Sequence, residues 1–283
     1  MPTIFNTILI PVDFTINTTV ALQKAIVMAE GGNINLHLLH VTKIKSPHLK
    51  RFYRSCPNQS FSPKDPISRQ ATEKMEQLKG YILDKNRNIQ VLTSVCYGTS
   101  VEHAVRTKAN EIGVDLIIIC KNSSHSWLPF RNTLEPGRIA RNTHRPVLTV
   151  KPGSIDQTIK TVVVPIGNQF PDNKVAMVDA LNKKFRMHVR LVAFCTRGDL
   201  APIPAALLNA YRVLKSKPLN NVSFDLLTGT NQPRSILKYC KAINADMVIV
   251  HPGSETRIGW FNKQISDLLP VKSKTQILAI NQG

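Results

Sequence analysis

The sequence predicts an α/β fold: two tandem, open, parallel five-stranded sheets with helices on both faces, Rossmann-like in layout. Three observations carry this. Short, branched apolar runs alternate with stretches of helical periodicity. Several runs, such as 7–12 and 116–119, are apolar throughout, as strands covered on both faces are. The chain also repeats itself. Thr7-Ile8-Leu9-Ile10-Pro11-Val12 returns as Thr161-Val162-Val163-Val164-Pro165-Ile166, 154 positions on. Gly98-Thr99-Ser100 returns as Gly229-Thr230-Asn231, and Asp115-Leu116-Ile117-Ile118-Ile119 as Asp246-Met247-Val248-Ile249-Val250, both 131 positions on. Val147-Leu148-Thr149-Val150 pairs with Ile277-Leu278-Ala279-Ile280. The drop in offset from 154 to 131 places an extra segment of about 23 residues inside the first copy.

The elements follow in order. Residues 7–12 form the first strand. Residues 18–30 form a helix with Val20, Ala21, Ala25, Val27 and Met28 on its apolar face, and Gly31-Gly32 ends it. Residues 36–41 are the second strand. A helix over 68–86 keeps Met75, Leu78 and Ile82 in register. Residues 89–96, a helix at 100–112, a strand at 115–120, a short helix at 136–142 and a strand at 146–150 complete the copy. The first domain is expected over 1–152 and the second over 157–283, with Lys151-Pro152-Gly153-Ser154 between them. The extra segment, about 43–66, contains Lys43, Lys45, Lys50, Arg51, Arg54 and Lys64 among four prolines. It reads as a solvated basic loop, or as a lid or anion-binding arm.

Composition bounds the function. A 42% hydrophobic content supports packed cores and excludes wholesale disorder. No apolar run approaches the roughly 20 residues of a membrane span. The start of the chain lacks the basic region of a signal peptide. Five cysteines without C-x-x-C or Cys/His metal spacing read as reduced thiols of a cytoplasmic protein. The net charge is +19, with 37 Lys+Arg against 18 Asp+Glu. That attracts polyanions, but no recognition module accompanies it, so specific nucleic-acid binding is not expected.

In open α/β sheets, ligands sit beyond the carboxyl ends of the strands. The residues to weigh are therefore Pro11-Val12-Asp13-Phe14, Leu38-Leu39-His40-Val41 and the stretch after Cys120. The order of these segments, twice over, resembles the universal stress protein (UspA) family in a tandem, two-domain form. The matching stretches are 8–14, 38–41, Gly98, 114–119 and 145–150. The resemblance implies a stress-response role and a division between members that bind ATP and members that do not. The binders carry G-x2-G-x9-G-S/T after the fourth strand, where bare backbone amides and a helix N-terminus meet the phosphates. Here those positions are Cys120, Ser123, Thr133 and Leu134 in the first copy, and His251, Ser254, Gln264 and Ile265 in the second. Both phosphate cradles are therefore expected to be lost.

The resemblance also implies nucleoside contacts at Pro11, Val12, Asp13 and Val41. The second copy has Gly167 for Asp13 and Phe194 near the Val41 position. ATP or AMP, if bound at all, is thus expected in the first copy, with Lys121, His125 and Arg131 offering charge. Asp13 has an alternative role as a cap for the helix that follows. No catalytic residue, metal site or cofactor is expected otherwise, since neither a carboxylate pair nor a Walker-type loop is present. Strand five of each copy is expected to pair within the chain, covering exposed edges, and further self-association into a homo-oligomer is expected. The leading function is a non-catalytic stress-response protein that works by association, with an unidentified protein partner. An adenine-nucleotide sensor and a polyanion binder are the alternatives.

Overall fold

A computed structural model describes residues 4–29, 32–43, 66–98, 100–121, 134–155, 158–195, 203–217, 221–229, 231–253, 255, 257–258 and 263–281. The core of the basic segment, and Ser123, His125, Arg131, Thr133 and Ser254, lie outside these.

The first unit runs β1 (Thr7–Val12), α1 (Ile16–Ala29), β2 (Ile34–Lys43), α2 (Pro66–Lys85), β3 (Ile89–Gly98), α3 (Val101–Ile112), β4 (Leu116–Cys120) and α4 (Pro136–Thr143). Its strands lie in the order β3-β2-β1-β4, and each pair is parallel. Every residue of β4 is buried, which explains its unbroken apolar run. Two caps set α3. Ser100 accepts the His103 N–H, and Gly113 takes the left-handed conformation (φ 61°) that ends the helix. At the end of β3, a Cβ on Gly98 would stand 3.3 Å from Val41 Cγ1, so glycine lets the two strand ends approach closely.

The second unit runs β5 (Val147–Val150), a 3-10 turn (Pro152–Ser154), β6 (Thr161–Ile166), α5 (Asp172–Phe185), β7 (His188–Cys195), α6 (Ala205–Lys215), β8 (Val222–Thr228), α7 (Gln232–Ala242), β9 (Met247–Val250), β10 (Arg257–Ile258), β11 (Lys263–Gln264), α8 (Ile265–Leu268) and β12 (Gln276–Ala279). Its order is β5-β12-β9-β6-β7-β8, with a separate β10-β11 ladder. All neighbours in the larger sheet are parallel except β5 and β12, which are antiparallel with Leu148 opposite Leu278. The repeat in sequence is thus a repeat of strand order, β3-β2-β1-β4 and β8-β7-β6-β9. By contacts the second unit takes in Lys121 and then everything from Pro146 on, because β5 packs with β12. The sequence repeat instead groups residues 146–152 with the first copy. Gly153, in the linking segment, donates its N–H to Val271 O, and a Cβ there would lie 2.3 Å from Lys272 O. The linker therefore needs glycine for a close approach and not for flexibility.

The aspartate that opens β4, and its counterpart before β9, each pin the first strand of their unit. Asp115 Oδ2 accepts from Asn6 N–H (2.9 Å) and Thr7 N–H (3.0 Å). Asp246 Oδ2 accepts from Lys160 N–H (2.8 Å) and Thr161 N–H (2.9 Å). Asp246 is buried. Replacing it with alanine leaves two backbone donors without their carboxylate, at a cost of about 2–4 kcal/mol. We expect guanidinium unfolding to show Asp246→Ala lowered by that amount and Asp246→Asn, which keeps an acceptor, lowered by less. Equal losses would show that the carboxylate's hydrogen bonds are not what matters there.

Candidate functional site

At the end of β1 the chain turns sharply. Phe14 takes a positive φ of 56°, a left-handed conformation uncommon for a bulky residue. The turn directs Asp13 onto the start of α1. Its Oδ1 accepts from Thr15 N–H (3.0 Å), Thr15 Oγ1 (2.7 Å) and Thr18 Oγ1 (2.9 Å), and its Oδ2 accepts from Asn17 Nδ2 (3.4 Å). Burial would raise this carboxyl, but the hydrogen bonds from Thr15, Thr18 and Asn17 together outweigh it and hold the group below its ordinary value. Asp13 therefore organises the first turn of α1. Phe14 packs on His40, with ring centroids 4.4 Å apart, and the Lys74 ammonium lies 5.4 Å from the Phe14 ring centre. His40 Nδ1 is 2.9 Å from Val12 O. Burial lowers the His40 pKa. Val41 is buried and faces Cys96 across the ladder.

After β4, Cys120 is buried and its Sγ donates to Asn17 Oδ1 at 3.6 Å. Lys121, expected to offer charge to a phosphate in the first copy, groups instead with the second unit. Its ammonium is 2.5 Å from Asp267 Oδ1, so that charge is already answered. Its carbonyl accepts the buried Lys151 ammonium. Leu134 precedes α4 and Ile265 is buried in α8, and neither supplies a hydroxyl. Gln264 contributes its backbone to β11.

The second unit holds a cavity of about 690 Å3 beyond the carboxyl ends of β6, β7 and β9. Ile166, Gly167, Phe170, Phe194 and Pro204 form apolar parts of its wall, and Asn168, Gln169, Asn173 and Gln232 bring amides. Strand register confirms that Phe194 stands where Val41 stands in the first unit: Val12 pairs with His40, and Ile166 with Ala193, one residue before Phe194. Gly167 holds the Asp13 position and meets open space where a Cβ would be.

Lys174, His251 and Glu255 also line the cavity. The Lys174 side chain is 1% exposed. Its ammonium donates to Glu255 Oε1 (2.8 Å), Glu255 Oε2 (2.7 Å) and Pro165 O (2.5 Å). Three acceptors thus match the three N–H bonds of an ammonium. Burial lowers the Lys174 pKa, opposed by the Glu255 charge and hydrogen bonds. His251 N–H, at the first phosphate-loop position, donates to Glu255 Oε2 at 2.8 Å. The His251 side chain is neutral at physiological pH, because burial and then the Lys174 charge push its pKa down to about 3.

The sequence model described as the universal stress protein family matches residues 5–151, more than half of the 283 residues. The chain belongs to the universal stress protein family. No curated protein matches it. Among solved structures, a universal stress protein from Archaeoglobus fulgidus DSM 4304 covers 100% of both chains at 14% identity and a TM-score of 0.69. A functionally unknown protein from Pseudomonas aeruginosa PAO1 covers 98% of this chain and 93% of its own, at 12% identity and a TM-score of 0.61. Both likenesses show the fold. Membership supports a role in the stress response. Among the described residues, no helix is long and apolar enough to cross a membrane.

Against the family pattern, the residues that sequence reasoning missed are Lys174 and Glu255. A signal for Lys174 was present. It lies on the same helical stripe as Val178 and Leu181, both buried, and at the repeat offset it replaces Val20. A lysine on an apolar stripe needs a buried partner. Nothing local pointed to Glu255, which meets Lys174 from 81 residues away.

Proposed function

We propose that this chain is a non-catalytic, cytoplasmic stress-response protein that works by association, on a duplicated scaffold whose phosphate sites have been replaced. The carrying observation is the acceptor on the His251 amide. The backbone N–H that would face a phosphate in an ATP-binding relative instead meets the protein's own Glu255 carboxylate, 2.8 Å away. That carboxylate is neutralised by Lys174. An incoming phosphate finds the His251 amide already taken by a carboxylate, and the Lys174 ammonium already paired with it. In the first unit, Cys120 replaces the first glycine and Leu134 the hydroxyl residue, so the same loss is inferred there. The antiparallel β5–β12 pairing covers two strand edges within the chain, with both strands fully buried.

An adenine-nucleotide sensor in the first unit is the second reading. It is favoured by Asp13, which is exposed and whose Oδ2 has, among the described residues, only the long Asn17 contact. Calorimetry on the full chain separates the two. We expect no heat of binding with ATP or AMP up to millimolar ligand. Micromolar ATP affinity that is lost in Asp13→Ala would establish the sensor and overturn the association reading.

A further inference from the structure

The second unit gathers free positive charge at the end away from its cavity, where the strands begin. Lys160 precedes β6, Arg186 precedes β7, Lys241 lies in the last turn of α7 before β9, and Lys272 and Lys274 precede β12. Backbone hydrogen bonds join these segments side by side. His188 N–H donates to Lys160 O (2.7 Å), Asp246 N–H to Thr161 O (2.9 Å), Gln276 N–H to Asp246 O (2.8 Å) and Ala245 N–H to Cys240 O (2.8 Å). Strands β12, β9, β6 and β7 are consecutive in the sheet. At about 4.8 Å per strand, the row spans roughly 14 Å. All five side chains are exposed, and none has a hydrogen bond or ion pair among the described residues. The acids of this end are already engaged. Asp246 is buried against the Lys160 and Thr161 amides, and Asp179 pairs with Lys217 (3.2 Å) and Lys183 (3.7 Å).

A helix C-terminus accepts a cation for local reasons. The duplicated scaffold shows that these five positions do not require one. Asn6 and Lys160 stand in the same relation to Asp115 and Asp246, each donating its N–H to the carboxylate. Asn35 N–H donates to Asn6 O as His188 N–H does to Lys160 O, which sets Asn33 against Arg186. Val114 N–H donates to Ala109 O as Ala245 N–H does to Cys240 O, which sets Asn110 against Lys241. The return of Val147-Leu148 as Ile277-Leu278 sets Asn142 and His144 against Lys272 and Lys274. Asparagines and a histidine on one copy of the frame are thus lysines and an arginine on the other.

We propose that this end of the second unit binds the phosphodiester backbone of double-stranded nucleic acid without reading its sequence. A duplex carries one negative charge per about 1.7 Å of axis, so the row spans about eight of them. The cations stand on turns and a helix end, which reach phosphates rather than base edges. Among the described residues the exposed aromatic is Phe170, at the cavity and so at the opposite end of the strands. Unpaired bases therefore have no ring to stack on here, and a lipid interface has no anchor. The surface is independent of both phosphate cradles, which belong to the carboxyl ends of the strands, so its failure leaves the reading of those cradles untouched.

Fluorescence anisotropy of the full chain with two unrelated DNA duplexes tests it. We expect both to bind with a Kd of about 10 μM or below at about 50 mM salt, equal within about threefold, and the logarithm of the affinity to fall with that of salt at a slope of about −4. Lys160→Asn, Arg186→Asn and Lys241→Asn together install the residues that the first unit carries. This triple variant should keep the parent's unfolding midpoint, bind at least tenfold more weakly and lose about 2 to 3 from the slope. Arg69→Gln, Arg87→Gln and Arg106→Gln together remove as many exposed cations from the first unit, and should change affinity less than threefold. Equal losses from the two triple variants would assign the binding to bulk charge and overturn the proposal. Absence of binding to either duplex overturns it as well, as does tighter binding of a single strand of the same length. Phosphatidylserine vesicles bound in place of the duplexes, and released by the Lys160, Arg186 and Lys241 substitutions, would make this a membrane-docking surface instead.

Discussion

Leu148→Lys should disrupt the β5–β12 pairing and lower the stability of the chain by about 4 kcal/mol or more. Leu148 is 1% exposed on β5, directly opposite Leu278, itself 1% exposed on β12. The substitution puts an ammonium among side chains of a strand whose four residues are all buried. No carboxylate belongs to β5 or β12 to receive it. The lysine must leave the core, taking β5 with it, or enter it deprotonated. Leu148→Ala isolates the packing part, at about 2–4 kcal/mol, because it removes volume without adding charge. Guanidinium unfolding gives both values, and size-exclusion chromatography reports whether the released edge recruits another chain. An unchanged midpoint for Leu148→Lys would show that the β5–β12 pairing contributes nothing to the folded chain in solution.

Fold and site were legible in the sequence to different degrees, for physical reasons. Strands such as 116–120 announce themselves because burial on both faces removes every polar residue, leaving a signal that needs no partner to interpret. The repeat amplified this: Asp115 and Asp246 occur at one offset, and in the structure each accepts from the first amide of its first strand and from the amide just before it. The Asp13 cap was legible for the same reason, since Thr15, Asn17 and Thr18 lie within five residues of it. Lys121 was not. It follows a strand at the expected ligand edge, but its partner Asp267 is remote in sequence, and only the fold brings them together. The open cavity of the second unit was hidden for a further reason. Sequence comparison scored Gly167 as the loss of a nucleoside contact, whereas in space the same change creates room.

Glu255→Ala is the sharpest test of the replaced phosphate site. It leaves Lys174 buried without its counter-charge and His251 N–H without its acceptor, and breaking a buried pair from one side costs about 3–5 kcal/mol. Lys174→Met with Glu255→Gln should recover more than half of that loss. Methionine fills the stem's volume without a charge, and glutamine keeps a carbonyl for the His251 amide. The pH dependence has a definite sign. Lys174 already titrates below its ordinary value when folded. A lysine with a lower native than unfolded pKa binds fewer protons when folded, so stability rises with pH between the two values. Removing Glu255 removes the group that opposes that fall, which widens the window. The deficit of Glu255→Ala relative to the parent chain should therefore shrink as the pH rises from 7 toward the ordinary lysine range, near 10.4. The substitution also exposes what Glu255 has been occupying: a free amide and an unpaired ammonium facing a cavity. Phosphate or ATP should raise the melting temperature of Glu255→Ala and leave the parent unmoved. If phosphate stabilises both equally, the anion site was never filled by the carboxylate, and the second unit remains a nucleotide site.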